Sequence, residues 1–195
     1  MELAIDLFIC RKRGVGYLGN DSFKIAELYD EFHKDVYHFA LYFTNNKQDA
    51  EDITQETFIK VLNNLHQLKD RGKKKVWILS IARNTSVDLI RKQKLIRYLP
   101  SLIKQESIPN THSITSLTLI DEENWIELQN ALLKIKPHYR SVIILRLLNE
   151  LTIKETAEAL GCSEGKVRVD LHRALNLLKN DVKLKEGWEQ YGQSR

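Results

Sequence analysis

The chain has 195 residues, 43% hydrophobic and 29% charged, with eight Gly and three Pro. That balance suits a soluble globular protein, too apolar for a disordered chain and too poor in Gly and Pro for a turn-rich sandwich. A net charge of +4 admits an anionic partner without naming one, and two distant cysteines, Cys10 and Cys162, exclude a disulfide framework or a zinc ligand set.

The opening MELAIDLFICRKRG puts its apolar run before its basic residues and ends in no small-residue cleavage site, the reverse of a secretory signal. No apolar run approaches the roughly 20 residues of a membrane span. The expected location is the cytoplasm.

From Ser22 the period is helical. Ile25, Leu28, Phe32, Val36, Phe39 and Phe43 recur at steps of three and four, forming one apolar stripe. Asn45-Asn46 breaks it. A second helix is expected from about Gln48 to Leu65, with Ala50, Ile53, Thr57, Val61 and Leu65 inward. Asp49, Asp52, Glu56 and Ile59 project oppositely, with Gln55 at the edge. Acidic residues in a first turn suit the helix dipole. An isoleucine among carboxylates points instead to a docking face for a basic helix. The Glu-x-x-His pairs of a bundle di-metal centre are missing, so no metal or other cofactor is expected.

The charged loop LKDRGKKK leads to a third helix, about Val76 to Lys94. Trp77, Ile78, Ile81, Ala82 and Leu89 share its core side. Ser80, Asn84, Asp88 and Arg91 form a separate hydrogen-bonding stripe, suited either to solvent or to unstacked bases. Lys69, Arg71, Lys73, Lys74 and Lys75 precede the helix, and Arg91, Lys92, Lys94 and Arg97 close it. Cations at that density add salt-dependent affinity for phosphate.

Residues 98–121 hold two prolines and many Ser and Thr with no firm period, and read as a linker. Helices are expected again near 123–135, 137–148, 153–160 and 164–179, with Pro137 in a first turn. The fold class is all-α, two small helical units on a flexible tether.

The last two helices carry the most specific pattern. Thr152 and Glu155 form a capping box, Gly161 suits a left-handed turn, and Ser163 can cap the second helix of the pair. Projected at 100° per residue, Val167, Leu171, Ala174, Leu175 and Leu178 share one sector. Gly165, Lys166, Val169, His172, Arg173 and Asn176 face away, with Arg168 on the flank. Two short helices about a glycine turn, the second cationic, is the helix-turn-helix pattern. Its second helix enters the DNA major groove, where Lys166, Arg168 and Arg173 reach guanine edges or phosphates and Val169 suits a thymine methyl.

Three stretches, DAEDITQETFIKVL, WILSIARNTSVDLIRK and LTIKETAEALGCSEGKVRVDLHRALNLLK, resemble in order the bacterial RNA polymerase sigma factors of the extracytoplasmic-function (ECF) group, over roughly Phe23 to Lys179. The resemblance implies an alternative sigma factor, not an enzyme, that directs promoter-specific transcription initiation. Residues 21–97 would be region two. In it Asp49, Asp52, Gln55, Glu56 and Ile59 would dock on the β′ clamp helices of core polymerase. Ser80, Asn84, Asp88 and Arg91, with Lys73, Lys74 and Lys75, would open and read the −10 element. Residues 122–182 would be region four, reading the −35 element with Ser163, Lys166, Arg168, Val169, His172 and Arg173. The linker would run through the polymerase channel. Expected partners are core polymerase (β′ and β), promoter DNA and an anti-sigma factor, often membrane-bound; no small-molecule substrate is implied. Residues 1–20 precede the usual family start and, like the tail 183–195, receive no role.

The sequence departs from the family at Lys166, commonly threonine or serine, and at Asp170, where a carboxylate near DNA would repel phosphate. The rival readings are a stand-alone helix-turn-helix repressor or activator and a DNA recombinase. The second lacks any visible nucleophile, phosphate loop or metal motif.

Overall fold

The computed structural model describes residues 19–68, 70–97 and 122–181, which form helices and the turns between them. The expected linker, the tail and nearly all of the expected N-terminal extension lie outside the described residues.

Helix α1, Gly19–Thr44, buries the predicted stripe: Ile25, Leu28, Phe32, Val36, Phe39 and Phe43. It stops where expected. Asn45 takes φ 52°, a left-handed conformation that asparagine tolerates. The Asn46 side chain then accepts the Asp49 amide at 3.0 Å and caps helix α2, Lys47–Asn63. Ala50, Ile53, Thr57 and Val61 face inward as predicted, joined by Thr54 and Phe58. Leu65 is not in this helix. It sits in a 3-10 turn, Leu65–Gln67, partly buried against the core. A second 3-10 turn, Arg71–Lys73, is capped by Asp70, whose carboxylate accepts the Gly72 amide at 2.8 Å.

Helix α3, Lys74–Arg97, runs further at both ends than its apolar period predicts. Its buried side is wider too, with Val76, Leu79, Thr85 and Ser86 beside Ile78 and Ala82. Polar residues are tolerated there because the hydroxyls of Thr85 and Ser86 donate back to the Ile81 and Ala82 carbonyls.

The C-terminal helices are shorter. They are α4, Glu122–Lys134; α5, Pro137–Ile143; α6, Ile153–Leu160; and α7, Glu164–Asp181. Helix α5 does not continue as an α-helix to 148. It widens into a π-helical turn, Ile144–Leu148, closed by Asn149 N–H donating to the Ile144 carbonyl at 2.8 Å. The Thr152–Glu155 capping box is formed, and Gly161 takes φ 65°. Ser163 Oγ accepts the Lys166 amide at 3.2 Å.

The two groups of helices are not held apart. Helix α1 packs on α4 and α5, and α3 packs on α6, so that one apolar cluster runs from Ile25 and Phe39 through Leu132 and Ile144 to Leu178. Arg140 crosses this junction. The residue is 4% exposed, and its guanidinium lies 5.2 Å from the Phe43 ring centre and donates to the carbonyls of Phe43, Leu132, Leu133 and Ile135. Asn149 Nδ2 donates across to the Asp35 carbonyl at 3.2 Å.

Candidate functional site

The outer face of α7 is built as the projection predicts. Val167, Ala174 and Leu178 are buried and Leu171 and Leu175 half-buried, while Ser163, Lys166, Arg168, Val169, His172 and Arg173 are all exposed. Val169 is 48% exposed. Arg168 pairs with Glu164 one turn back at 3.2 Å. Arg173 also lines a groove between α4 and α7, beside Lys134, Lys136, Tyr139 and Leu177.

Asp170 departs from the sequence expectation. It does not lie on the exposed face of α7. Its side chain is 4% exposed, and one carboxylate oxygen, Oδ2, accepts both His138 Nε2 at 2.6 Å and Lys166 Nζ at 2.9 Å. Burial alone raises a carboxyl pKa, but these two hydrogen bonds outweigh it and hold Asp170 below its usual range. The same bond raises the pKa of Lys166. Periodicity hides His138 because it lies 32 positions away.

The acidic face of α2 and the polar stripe of α3 meet in one groove. Asp52, Gln55, Glu56 and Ile59 line one wall; Asp88, Leu89, Arg91 and Lys92 line the other. Ile59 is half-buried there rather than fully exposed. Lys60 bridges the walls, donating to Thr85 Oγ1 at 3.0 Å with Glu56 at 3.7 Å. Asp49 is not on the open part of this face: Gln93 of α3 donates to both its oxygens, at 3.1 and 3.3 Å. Asp88 and Arg91 form the expected pair at 3.6 Å. Ser80 and Asn84 lie outside the groove. The Ser80 hydroxyl is spent on the Trp77 carbonyl at 2.6 Å, and Asn84 Oδ1 accepts from Arg83 at 2.9 Å.

Lys73, just before α3, and Lys74 and Lys75, its first two residues, are each held by a carboxylate. Lys74 pairs with Glu31 at 3.4 Å and Lys75 with Asp35 at 3.1 Å, both on α1. Lys73 reaches Glu158 on α6 at 2.8 Å. Lys69 and the Arg71 side chain lie outside the described residues.

Among the described residues no group of three or more His, Cys, Asp or Glu side chains is placed to hold a metal. Cys162 packs with Val142, Ala157 and Val167 under the helix-turn-helix, where burial raises its thiol pKa. None of the described helices is long and apolar enough to cross a membrane.

A helical bundle with a charged groove, followed by a helix-turn-helix with an exposed cationic second helix, has the form of a DNA-binding transcription factor. Similarity to known proteins makes the family specific. The models of Sigma-70 region 2 and Sigma-70 region 4 match residues 28–96 and 125–178. The ECF RNA polymerase sigma factor SigX of Bacillus subtilis (strain 168) is 36% identical over 166 residues, covering 80% of this chain and 82% of its own. The RNA polymerase sigma factor YlaC of the same strain is 31% identical over 170 residues, 83% and 94% of the two chains. Among solved structures, the sigma factor RpoE in complex with the anti-sigma factor NepR from Bartonella quintana shares the fold at a TM-score of 0.65 and 22% identity, covering 84% of this chain and 98% of that one. CnrH in complex with the cytosolic domain of CnrY does so at 0.58 and 19%, over 80% and 85%. The chain belongs to the ECF group of RNA polymerase sigma factors. It is an alternative sigma factor that directs promoter-specific transcription initiation, and it is not an enzyme.

Proposed function

We propose a division of labour in which residues 21–97 dock on core polymerase and open the −10 element, residues 122–182 read the −35 element, and residues 98–121 tether the two in the cytoplasm. The carrying observation is the outer face of α7, where all six expected contacts, Ser163 to Arg173, are exposed over a buried Val167–Ala174–Leu178 seam. A helix so presented fits the major groove, its first turns nearest the bases. Asp52, Gln55, Glu56 and Ile59 take the β′ clamp helices, with Asp49 supporting them through Gln93. Asn84, with Ser80, Asp88, Arg91 and the lysines 73–75, takes the opened −10 strand.

This reading requires the halves to part. The two promoter elements are centred about 25 base pairs apart, ~85 Å of duplex at about 3.4 Å per step. Glu158 of the helix-turn-helix lies 2.8 Å from Lys73 beside the −10 helix. Residues 98–121 have a contour length of at most ~80 Å, enough to let two separated modules reach both elements. Two weak tethered contacts then add through effective concentration. An anti-sigma factor, of the kind bound by RpoE in its solved complex, would act by holding the halves together.

Run-off transcription with purified core polymerase on genomic fragments tests the reading and maps the promoters. Defined start sites that require this chain support it; tight sequence-specific duplex binding that ignores polymerase would refute it. Arg173→Ala should lower initiation several-fold and leave core binding intact. Asp52→Arg with Glu56→Arg should abolish co-purification with β′ without changing helicity by circular dichroism.

A further inference from the structure

Lys166 stands in the first turn of the recognition helix, where a cation best reaches the bases, yet its ammonium is folded one turn along the helix onto Asp170. Asp170 lies in the buried seam between Val167 and Ala174, and its carboxylate is shielded from solvent. A carboxylate so placed must keep a donor or a counter-charge. It has two, and both sit on one oxygen: His138 from the first turn of α5, and Lys166. A Lys166 contact with DNA therefore competes with its bond to Asp170, and a reach that breaks the bond leaves Asp170 to His138 alone. Full pairing of Lys166 with a guanine edge offsets that loss better than one loose phosphate contact does.

We propose that Asp170 and His138 are specificity-setting, positioning residues for −35 recognition: Asp170 competes with DNA for the Lys166 ammonium, and His138 weakens its grip by sharing the carboxylate oxygen. Asp170 thereby suppresses non-specific phosphate binding more than cognate binding. The inference rests on the assignment of α7 to −35 recognition.

The competition predicts opposite signs for two neighbouring variants. Asp170→Asn keeps the shape and removes the charge, so Lys166 is released. His138→Ala leaves Lys166 as the main partner of Asp170, so the lock tightens. The experiment uses holoenzyme reconstituted with core polymerase, and a fluorescent duplex carrying the −35 element mapped by run-off transcription. A random-sequence duplex serves for comparison, from 50 to 200 mM salt. Asp170→Asn should raise affinity for the random duplex about threefold and for the cognate duplex less, so discrimination falls. Its salt dependence should steepen by about one phosphate contact, a further ~3.5-fold loss across that salt range. His138→Ala should lower affinity for both duplexes. In a Lys166→Ala background neither change should have any effect beyond Lys166→Ala itself.

If both single variants weaken binding at unchanged salt slope, or if their effects persist without Lys166, Asp170 and His138 only support the fold and the proposal fails. Should Asp170→Asn not fold, the sign of His138→Ala and its dependence on Lys166 decide. Wild-type holoenzyme that initiates at defined sites while these variants show no coupling sinks this inference alone. A wild-type chain that directs no initiation sinks the assignment beneath it.

Discussion

The two halves reach helicity by different means. The first three helices are long, 26, 17 and 24 residues, and gain most of their stability from a continuous apolar seam such as Phe32–Val36–Phe39–Phe43. The C-terminal helices include segments of 7 and 8 residues, too short to persist on propensity. Each of those is fixed by a local device: Pro137 at the start of α5, the Thr152–Glu155 box on α6, and Gly161 after it. Arg140 adds a device of longer range by taking up the carbonyls at the end of α4. Long helices tolerate the loss of any one end contact, whereas short ones should not.

The largest effect should therefore come from Arg140→Ala. Removing a buried guanidinium takes a donor from four carbonyls, one of them Phe43 in the other half. The expected cost is about 3–5 kcal/mol, read as a fall in thermal midpoint. Burial lowers the Arg140 pKa only to about 10, so the group stays charged at neutral pH and Arg140→Lys, which lacks the planar fork, should not rescue it. A loss under 1 kcal/mol would show that the junction is held by apolar contact alone.

Gly161 comes next. A Cβ there would meet nothing within 4 Å, so the space is open and only the left-handed φ of 65° opposes a side chain. Gly161→Ala should cost about 1–2 kcal/mol. Gly165, with equally open space and helical backbone, provides the control: Gly165→Ala should be neutral or stabilising by up to ~1 kcal/mol. Equal effects at the two sites would break the strain argument.

Thr152→Ala removes the hydroxyl that accepts the Glu155 amide and donates to the Glu155 carboxylate, leaves the backbone N–H bond to that carboxylate in place, and should cost about 1 kcal/mol. It also carries a pH signature. Hydrogen bonds from the Thr152 hydroxyl, and then from its amide, lower the Glu155 pKa below its ordinary 4.5. A carboxyl depressed on folding contributes stability above its unfolded pKa and loses that contribution as pH falls through the folded one. The stability gap between wild type and Thr152→Ala should thus be widest at neutral pH and narrow below about 4.5. A gap constant down to pH 3 would place the stabilisation elsewhere.

These local devices are the features the sequence displays. A capping box spans three positions, a glycine cap one, and an apolar stripe repeats within a turn, so each is legible without knowing the fold. Periodicity likewise assigns the inward and outward residues of α7 correctly. The expectation that Asp170 lies near DNA comes from the resemblance and not from the period; a projection records direction and not the partner that makes burial tolerable, and His138 arrives from another helix. Periodicity gives no sign of Arg140, whose bond to the Phe43 carbonyl spans 97 positions. Nor can it show that Lys73, Lys74 and Lys75 are each matched by a carboxylate, because Glu31, Asp35 and Glu158 sit on other helices.

That last set allows the finest comparison. Lys74 and Lys75 pair within the N-terminal bundle, whereas Lys73 pairs with the helix-turn-helix, 85 positions on. The side chains of Lys73 and Glu158 are 49% and 43% exposed, so the pair is well hydrated and its loss should hardly move the melting temperature. Its effect should appear in geometry. Glu158→Lys sets two like charges against each other at the junction. The distance between fluorophores on α2 and α7 in the free chain should lengthen, more so at low salt because screening weakens the repulsion. Glu31→Lys breaks a pair of similar exposure inside the bundle and should leave that distance unchanged. If both substitutions shift it alike, net charge is responsible and Lys73 has no special role at the junction. If only Glu158→Lys does, and the double change with Lys73→Glu restores the wild-type distance, the contact helps hold the helix-turn-helix against the start of α3.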